Sequence, residues 1–386
     1  MNKVVLFFVL AALFFSGFLI NSPIHAQMET EPPELQLLQP PVEPPQEETL
    51  EGEVIKVLEE KQITPSGTAV SQLYQKLEVL ITDGSIKGKK VEIENGNFPV
   101  VNTPKFKIGD QLVVSFGKDF EGNDRFYITD YVRRSPLFWL FVIFVGLTVF
   151  IGRWQGASSL VGMAISFLVI FSFILPRISA GYDPVWIAIL GAIVIIPATF
   201  FLSHGLNKKT WIAVAGTIIA LVLTGIIANF FVYFAKLTGF ASEEATFLQA
   251  YRPGVINIQG LLLAGIIIGV LGVLDDITIS QSAVVQELKQ ANSQLKASDL
   301  YKRAMNVGRD HIASTVNTLV LVYTGAALPL LLLFIDSSRP FSQVVNYEII
   351  AEEIVRTLVG SIGLILAVPI TTLIAVYLSP KFTSRD

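Results

Sequence analysis

Seven stretches of apolar residues constrain this chain more than any other feature of its sequence. A helix that crosses a hydrocarbon core of about 30 Å needs roughly 20 mostly apolar residues. Only 16% of the residues are charged, against about a quarter in soluble domains. We therefore expect a mainly α-helical membrane protein, a bundle of about seven transmembrane helices that follows a small all-β domain. The stretches span residues 137–152, 157–175, 185–202, 211–235, 256–274, 312–335 and 354–378.

Composition excludes several kinds of chemistry. The chain contains no cysteine, which excludes disulfides, thiolate metal sites and cysteine nucleophiles. It contains neither a Walker-type Gly-Lys loop nor a His-Glu-x-x-His zinc motif. The net charge of −4 is too small to indicate a nucleic-acid partner. We expect no cofactor, while the question of a metal stays open.

The N-terminal residues have the order of a secretory signal: Lys3, an apolar run at 4–20, and Ala26 before a polar stretch. The same run is long enough to remain as an uncleaved anchor. Residues 27–49 are rich in Pro and Glu and predict an extended linker. In either case the sequence predicts that the residues after the linker are exported.

Residues 50–134 have the short alternating runs of β-strands. Turn signals such as Asp83-Gly84 and Asn95-Gly96 separate these runs. We predict a closed, OB-like barrel, because closure removes exposed strand edges in a small domain. Acids interleaved with the lysines argue against binding of nucleic acid by this barrel. The predicted strands are residues 53–58, 73–82, 89–94, 111–116 and 125–132.

Charge in the loops predicts the orientation of the chain in the membrane. With the barrel outside and seven crossings, the C-terminus lies in the cytoplasm. Cytoplasmic loops of membrane proteins carry an excess of Lys and Arg. The expected outer loops contain Arg177, Lys236, Arg252 and Arg339, whereas the expected inner segments contain Arg153, Lys208, Lys209, Lys289, Lys296, Lys302, Arg303, Arg309, Lys381 and Arg385. Arg133 and Arg134, just outside the first crossing, oppose this bias, but a domain exported by its own signal is translocated regardless of nearby charge.

The fifth apolar stretch carries a stripe of glycines and ends in two acids. Gly265, Gly269 and Gly272 share one helical face with Asp276, and such a face favours close packing against another helix, here most simply the sixth. Asp275 and Asp276 are adjacent carboxylates at an apolar boundary, so they need a cation, a basic partner or a proton. The alternative is a pair of solvated acids at a helix end.

Residues 277–309 predict an amphipathic segment on the inner membrane surface, with Leu288, Leu295, Leu300 and Met305 as apolar anchors. The sixth helix then begins with a polar stripe inside its apolar run. We expect the helix ends to bring these residues together with the two acids. The predicted polar translocation cluster is Asp275, Asp276, Arg309, Asp310, His311, Ser314, Thr315, Asn317 and Thr318.

Two of these elements carry a family resemblance. The stretch from Gly254 through Asp275-Asp276 to Gln281, followed by residues 308–312 and 318–329, resembles the YibE/F family of multi-spanning bacterial membrane proteins. The resemblance covers roughly residue 136 to the C-terminus, and the Asp-Asp and Arg-Asp-His elements are its most specific parts. It implies a multi-pass protein of the bacterial cytoplasmic membrane and leaves the substrate open.

Two hypotheses for function remain. The first is a permease-like transporter of a small solute or ion, with a polar path between the fifth and sixth crossings. The alternative is a non-transporting accessory or sensor protein whose outer barrel binds a ligand or an envelope protein. We do not expect an enzyme: an intramembrane aspartyl protease would need Asp183 and Asp275 within a few Å, and the predicted topology separates them by a membrane thickness. The lipid bilayer is the expected partner, and the oligomeric state stays open.

Overall fold

The computed structural model describes residues 48–65, 70–99, 103–119, 122–335 and 339–378. The described residues fall into two compact units, which divide between Val145 and Gly146. The predicted signal segment lies outside the described residues, and residues 27–47 of the predicted linker also lie outside them. Glu48 and Thr49, the last two residues of that linker, belong to the first strand instead.

The first unit contains a five-stranded antiparallel sheet. The strands are β1 (Glu48–Ile63), β2 (Gln72–Asp83), β3 (Lys90–Asn95), β4 (Gln111–Lys118) and β5 (Asp124–Tyr131), in the order β3-β2-β1-β4-β5. Each strand coincides with a predicted one, because alternation of apolar and polar residues predicts a strand with one buried face. The prediction of five strands is confirmed.

One face of this sheet forms a hydrophobic core. Its members alternate along the strands, as Leu77, Val79 and Ile81 do on β2. The two edge strands, β3 and β5, approach each other where Lys89 lies 3.5 Å from Asp124. They are not neighbours in the hydrogen-bonded strand order, so closure into an OB-like barrel is not confirmed.

The remainder of the described chain is helical. Five helical runs are long and apolar enough to cross a membrane, namely Arg134–Ser179, Pro184–His204, Lys208–Phe234, Ile258–Ala291 and Glu348–Leu378. A sixth is counted if Ala297–Ala326 and Leu328–Ile335, which meet at 68°, form one span. A mainly helical chain with apolar helices that could span a membrane is therefore confirmed, and the count of seven crossings is not. The helices are α1 (Arg134–Val169), a π-helical turn (Ile170–Ile174), α2 (Leu175–Ser179), α3 (Pro184–His204), α4 (Lys208–Phe234), α5 (Glu243–Tyr251), α6 (Ile258–Ala291), α7 (Ala297–Ala326), α8 (Leu328–Ile335), α9 (Phe341–Val344) and α10 (Glu348–Leu378).

Helix α1 reverses direction at Arg153. This residue has non-helical backbone angles, φ 49° and ψ −130°. A Cβ atom on Gly156 would overlap the carbonyl oxygen of Thr148, although residues eight apart on a continuous helix are separated by about 12 Å. The chain therefore folds back at this point, and the two helices predicted on either side of Arg153 are separate.

The helices of the second unit pack as a bundle with both parallel and antiparallel neighbours. Gly260 of α6 lies against Pro184 of α3, and Asp275 lies against Thr199 in the same register, so α3 and α6 are parallel. By the same reasoning α10 is parallel to α6, while α4 is antiparallel to them. We call the end that carries the α3–α4 connection and the turn at residues 292–296 the turn end, and the opposite end, which carries α5, the loop end.

The structure corrects the prediction for residues 277–309. Helix α6 does not end at Asp276 but continues to Ala291, and α7 begins at Ala297. The apolar residues predicted to anchor this segment in lipid pack instead on protein. The apolar face of this segment packs against α4 and α10. Leu288, Leu295 and Leu300 belong to a hydrophobic cluster with Ile212, Val285, Ala304, Ala375 and Val376. Met305 packs against the main core.

Candidate functional site

The predicted cluster between α6 and α7 does not form. Asp276, Arg309 and Asp310 are exposed, and Arg309 donates a hydrogen bond to Asn306 on its own helix. Among the described residues, no hydrogen bond or ion pair joins the two acids of α6 to Arg309, Asp310 or His311. The cause is the rotation of α7, which turns its buried Leu300, Ala304 and Gly308 toward the bundle.

The polar stripe of α7 lies largely outside the bundle. Ser314, Asn317 and Thr318 are exposed, while His311 and Thr315 are partly buried. The Thr315 hydroxyl donates to the carbonyl of His311 at 2.9 Å, and the Thr318 hydroxyl donates to that of Ser314 at 3.0 Å. Threonine satisfies itself in this way in apolar helices, so these hydroxyls do not indicate a path between α6 and α7.

The glycine stripe of α6 does not pack closely. Nothing in the described chain lies within 4 Å of a Cβ built on Gly265 or Gly272, and Gly269 approaches only the Tyr323 hydroxyl, at 3.7 Å. All three glycines are exposed. The prediction of a close-packing face is therefore wrong at Gly265 and Gly272, because α6 turns the opposite side toward α3, α4 and α10.

Close approach occurs instead between α4 and α10, through two reciprocal Gly and Thr pairs. A Cβ on Gly216 would overlap the Thr371 hydroxyl, and a Cβ on Gly363 would overlap the Thr224 hydroxyl. The pairs lie eight residues apart on each helix, as antiparallel packing requires. They bring the two backbones together over about two helical turns.

Asp275 of α6 is partly buried against α3. Its Oδ2 accepts a hydrogen bond from the Thr199 hydroxyl of α3 at 3.4 Å. Its Oδ1 is buried and has no hydrogen-bond partner in the described part of the chain. Asp276 occupies the next position, about 100° around the helix, and is exposed. The two acids that look alike in the sequence thus have different surroundings.

Asp275 begins a series of buried polar side chains. One turn further along α6, the Thr278 hydroxyl lies 2.7 Å from the Thr217 hydroxyl of α4. Another turn on, Gln281 donates to the Thr372 hydroxyl of α10 at 2.7 Å and to the Ala304 carbonyl at 3.0 Å.

Two further residues extend this series toward the turn end and across α10. Ser282 donates to the Lys209 carbonyl at 2.9 Å, and the buried Thr371 hydroxyl has no partner. From Thr278 onward, every one of these side chains is at most 2% exposed. We call the whole set the polar seam: Thr199, Thr217, Asp275, Thr278, Gln281, Ser282, Thr371 and Thr372.

The seam lies in the turn-end half of the bundle. Asp275 follows the first residue of α6 by 17 positions, about 25 Å along the axis. Four helices contribute, α3, α4, α6 and α10, and α7 contributes only a backbone carbonyl. Single threonines in apolar stretches carry no sequence signal of their own, so only Asp275 of the seam was identified from the sequence.

A second buried acid lies near the loop end. Glu352 belongs to the second turn of α10 and is 7% exposed, and its Oε1 has no hydrogen-bond partner among the described residues. One turn earlier, Glu348 accepts hydrogen bonds from the Thr238 hydroxyl at 2.7 Å and from the Gly239 amide at 3.0 Å. These two acids fix the connection that follows α4.

Asp183 and Asp275, the two aspartates that an intramembrane protease would need side by side, lie far apart. Asp183 caps the N-terminus of α3 and accepts from the Val185 and Trp186 amides at 3.0 and 3.1 Å. Asp275 lies beside Thr199, 16 residues further along the same helix, about 24 Å. Two catalytic carboxylates must share a proton across a few Å, so this pair cannot act as one.

Comparison with known proteins gives one match. The sequence model described as YibE/F-like protein matches residues 140–381, well over half of the chain. No curated protein and no solved structure matches. The matched residues include every member of the polar seam.

Proposed function

Because the chain belongs to the YibE/F-like family, whose matched region contains the whole polar seam, we propose that it is a multi-pass membrane transporter of a small ion or solute, with the seam as its path. The observation that carries the proposal is Asp275. An acid inside an apolar helix is costly and marks a functional site in membrane proteins. One oxygen of this acid has no hydrogen-bond partner in the described chain, and buried hydroxyl and amide groups from four helices follow it in the seam.

The seam replaces the path predicted between the fifth and sixth crossings. Hydroxyl and amide side chains can exchange hydrogen bonds with a passing solute, whereas the face of α6 that points toward α7 carries mainly apolar groups and glycine. Pro369 lies inside α10 close to Thr371 and Thr372, and a proline frees a backbone carbonyl one turn before it.

Seven crossings are part of the proposal. The run Arg134–Ser179 has 46 residues, about 69 Å of helix, which is more than twice the hydrocarbon core. The reversal at Arg153 supports two crossings there. With α3, α4, α6, the bent pair α7 and α8, and α10, the total is seven. Lys208, Lys209, Lys289 and Lys296 at the turn end support a cytoplasmic position for that end and for the C-terminus.

A reporter that is active only after export tests this topology. Fused after Arg134 it should be active, whereas fused after Gln155, after Lys296 or after Leu378 it should be silent. Activity after Gln155 would contradict the two crossings on either side of Arg153, and activity after Leu378 would reverse the orientation of the bundle.

Flux into liposomes that contain the purified full-length protein tests transport. A carboxylate favours a cation, so the probes are H⁺, Na⁺ and K⁺, each driven by an imposed gradient and read with a trapped indicator dye. We expect at least one of them to enter several-fold faster than into protein-free liposomes. If none does, the transporter proposal is overturned, and the accessory or sensor alternative becomes the better account.

A further inference from the structure

We infer that the Asp275 carboxyl is a proton-binding site that exchanges its proton with the turn end of the bundle. The inference deepens the proposed function and rests on it for the use of the proton in transport. Proton binding itself can be measured without a transport assay. The chemical class of the ligand is thus the simplest cation, H⁺.

The surroundings of Asp275 contain no compensating charge. Its only side-chain hydrogen-bond partner in the described chain is the Thr199 hydroxyl at 3.4 Å, a distance longer than the roughly 2.5–3.0 Å of a usual O–H···O bond. The Thr199 hydroxyl also lies closer to the carbonyls of Ile195 and Ile196, at 3.0 and 3.1 Å, so it donates weakly to Asp275. Oδ1 is buried and unpartnered. Described Lys, Arg and His residues form no ion pair with it. An ionised carboxylate in this position would be desolvated without a counter-charge.

Charged groups on the surrounding helices lie toward the turn end. From α3, the exposed His204 is close enough to Asp276 and Lys209 to interact with them electrostatically. From α6 itself, Asp276 adds a like charge beside Asp275. Helix α7 carries Arg309, Asp310 and His311, and none of them bonds to Asp275. Helix α10 contributes only the uncharged threonines of the seam at this level.

These features favour a proton over a metal ion. Desolvation and a neighbouring carboxylate both disfavour the ionised form of an acid. A divalent metal needs six or more oxygen ligands or a set of strong donors. No group of three or more His, Cys, Asp or Glu residues that could hold a metal occurs among the described residues. A proton needs one oxygen, and Oδ1 provides it.

The exchange step is a simple proton transfer. The O–H bond that forms on Asp275 is matched by the bond that breaks on the donor, which is an O–H bond of hydronium or an N–H bond of the protonated imidazole of His204. His204 follows Thr199 by five residues on α3, about 7 Å nearer the turn end. This places a titratable group between the bound proton and the aqueous phase on that side.

Infrared spectroscopy of the full-length protein in liposomes tests the inference. The carbonyl stretch of a protonated carboxyl group is separate from the bands of a carboxylate. We expect the wild-type protein at neutral pH to show a protonated-carboxyl band that Asp275→Asn removes and Asp276→Asn retains. Glu352, a buried acid near the loop end, is present in both proteins. Subtraction of the Asp275→Asn spectrum from the wild-type spectrum therefore removes its contribution.

A second variant tests the inference even if Asp275→Asn does not fold. Thr199→Val removes the hydroxyl that donates to Asp275, so it should shift the frequency of the same band without removing it. A protonated-carboxyl band of the same intensity in Asp275→Asn as in the wild-type protein, or a wild-type protein without the band at neutral pH, would overturn the inference. If the band is present and no cation flux is found, transport fails while the proton site stands; if flux is found without the band, the proton site fails alone.

Discussion

Asp275→Asn is expected to reduce cation flux into liposomes to the protein-free rate, whereas Asp276→Asn should retain most of the wild-type flux. The amide keeps the shape of the side chain but cannot ionise or exchange a proton. Asp275 faces Thr199 and the seam, and Asp276 is exposed. The two variants differ by one position along α6 and carry the same chemical change, so each is the control for the other.

Folding must be separated from function in this comparison. The amide, like the protonated carboxyl group, carries no charge and has nearly the same shape, so Asp275→Asn should fold as well as the wild-type protein, as judged by yield and thermal unfolding in detergent. Equal loss of flux in the two variants would contradict a special role for Asp275. A loss of folding in Asp275→Asn would indicate a structural role for the carboxylate instead.

Gly363→Ala is expected to destabilise the protein, whereas Gly265→Ala should leave its stability unchanged or raise it. The new methyl group on Gly363 would overlap the Thr224 side chain, and overpacking of a tight contact costs about 1 to 3 kcal/mol. Nothing described lies within 4 Å of the corresponding position on Gly265. There the better helix propensity of alanine, about 1 kcal/mol, is the main effect. Thermal unfolding in detergent measures both.

A double variant identifies the cause of the Gly363→Ala effect. Thr224→Ala removes the hydroxyl and methyl groups that the new Cβ would meet, so the double variant Gly363→Ala with Thr224→Ala should recover part of the lost stability. Additive losses would mean that the two residues do not touch. Equal melting temperatures for Gly363→Ala and Gly265→Ala would contradict the assignment of α4 and α10 as the close-packed pair.

Local patterns predicted the elements of this fold well. The alternation in residues 72–83 and 111–118 specifies a strand with one buried face, and both strands form where the pattern places them. Arg153 predicted a break between two helices because a charge interrupts an apolar run, and the backbone reverses there. Pro329 likewise coincides with the bend between α7 and α8, since proline cannot continue the hydrogen bonds of the preceding turn.

Rotation of the helices could not be predicted in the same way. A stretch such as residues 258–274 is apolar on every side, so periodicity does not show which face meets protein and which meets lipid. The glycines at 265, 269 and 272 form a regular stripe and yet face outward, whereas the close contacts use Gly216 and Gly363, which are 147 positions apart. Only the packing of α4 on α10 makes such a pair recognisable.

The same limit applies to the candidate site. Asp275 and Asp276 are equivalent in the sequence, and about 100° of helix rotation leaves one inside and the other outside. The prediction of a functional acid at this point stays a prediction, now centred on Asp275. The partners proposed from α7 did not meet it, because the amphipathic face of residues 297–308 packs into the bundle and turns Arg309 and Asp310 away.

Access of water to the polar seam is the measurement that tests the central claim most directly. The chain contains no cysteine, so single cysteines can be placed at Thr217, Thr278 and Thr371 in the seam and at Gly265 and Gly272 on the outward face. If the seam is a path through the membrane, a small charged thiol reagent should label the seam positions in protein embedded in liposomes and leave the glycine positions unlabelled. Labelling of the glycine positions alone, with the seam positions unreactive, would contradict the account.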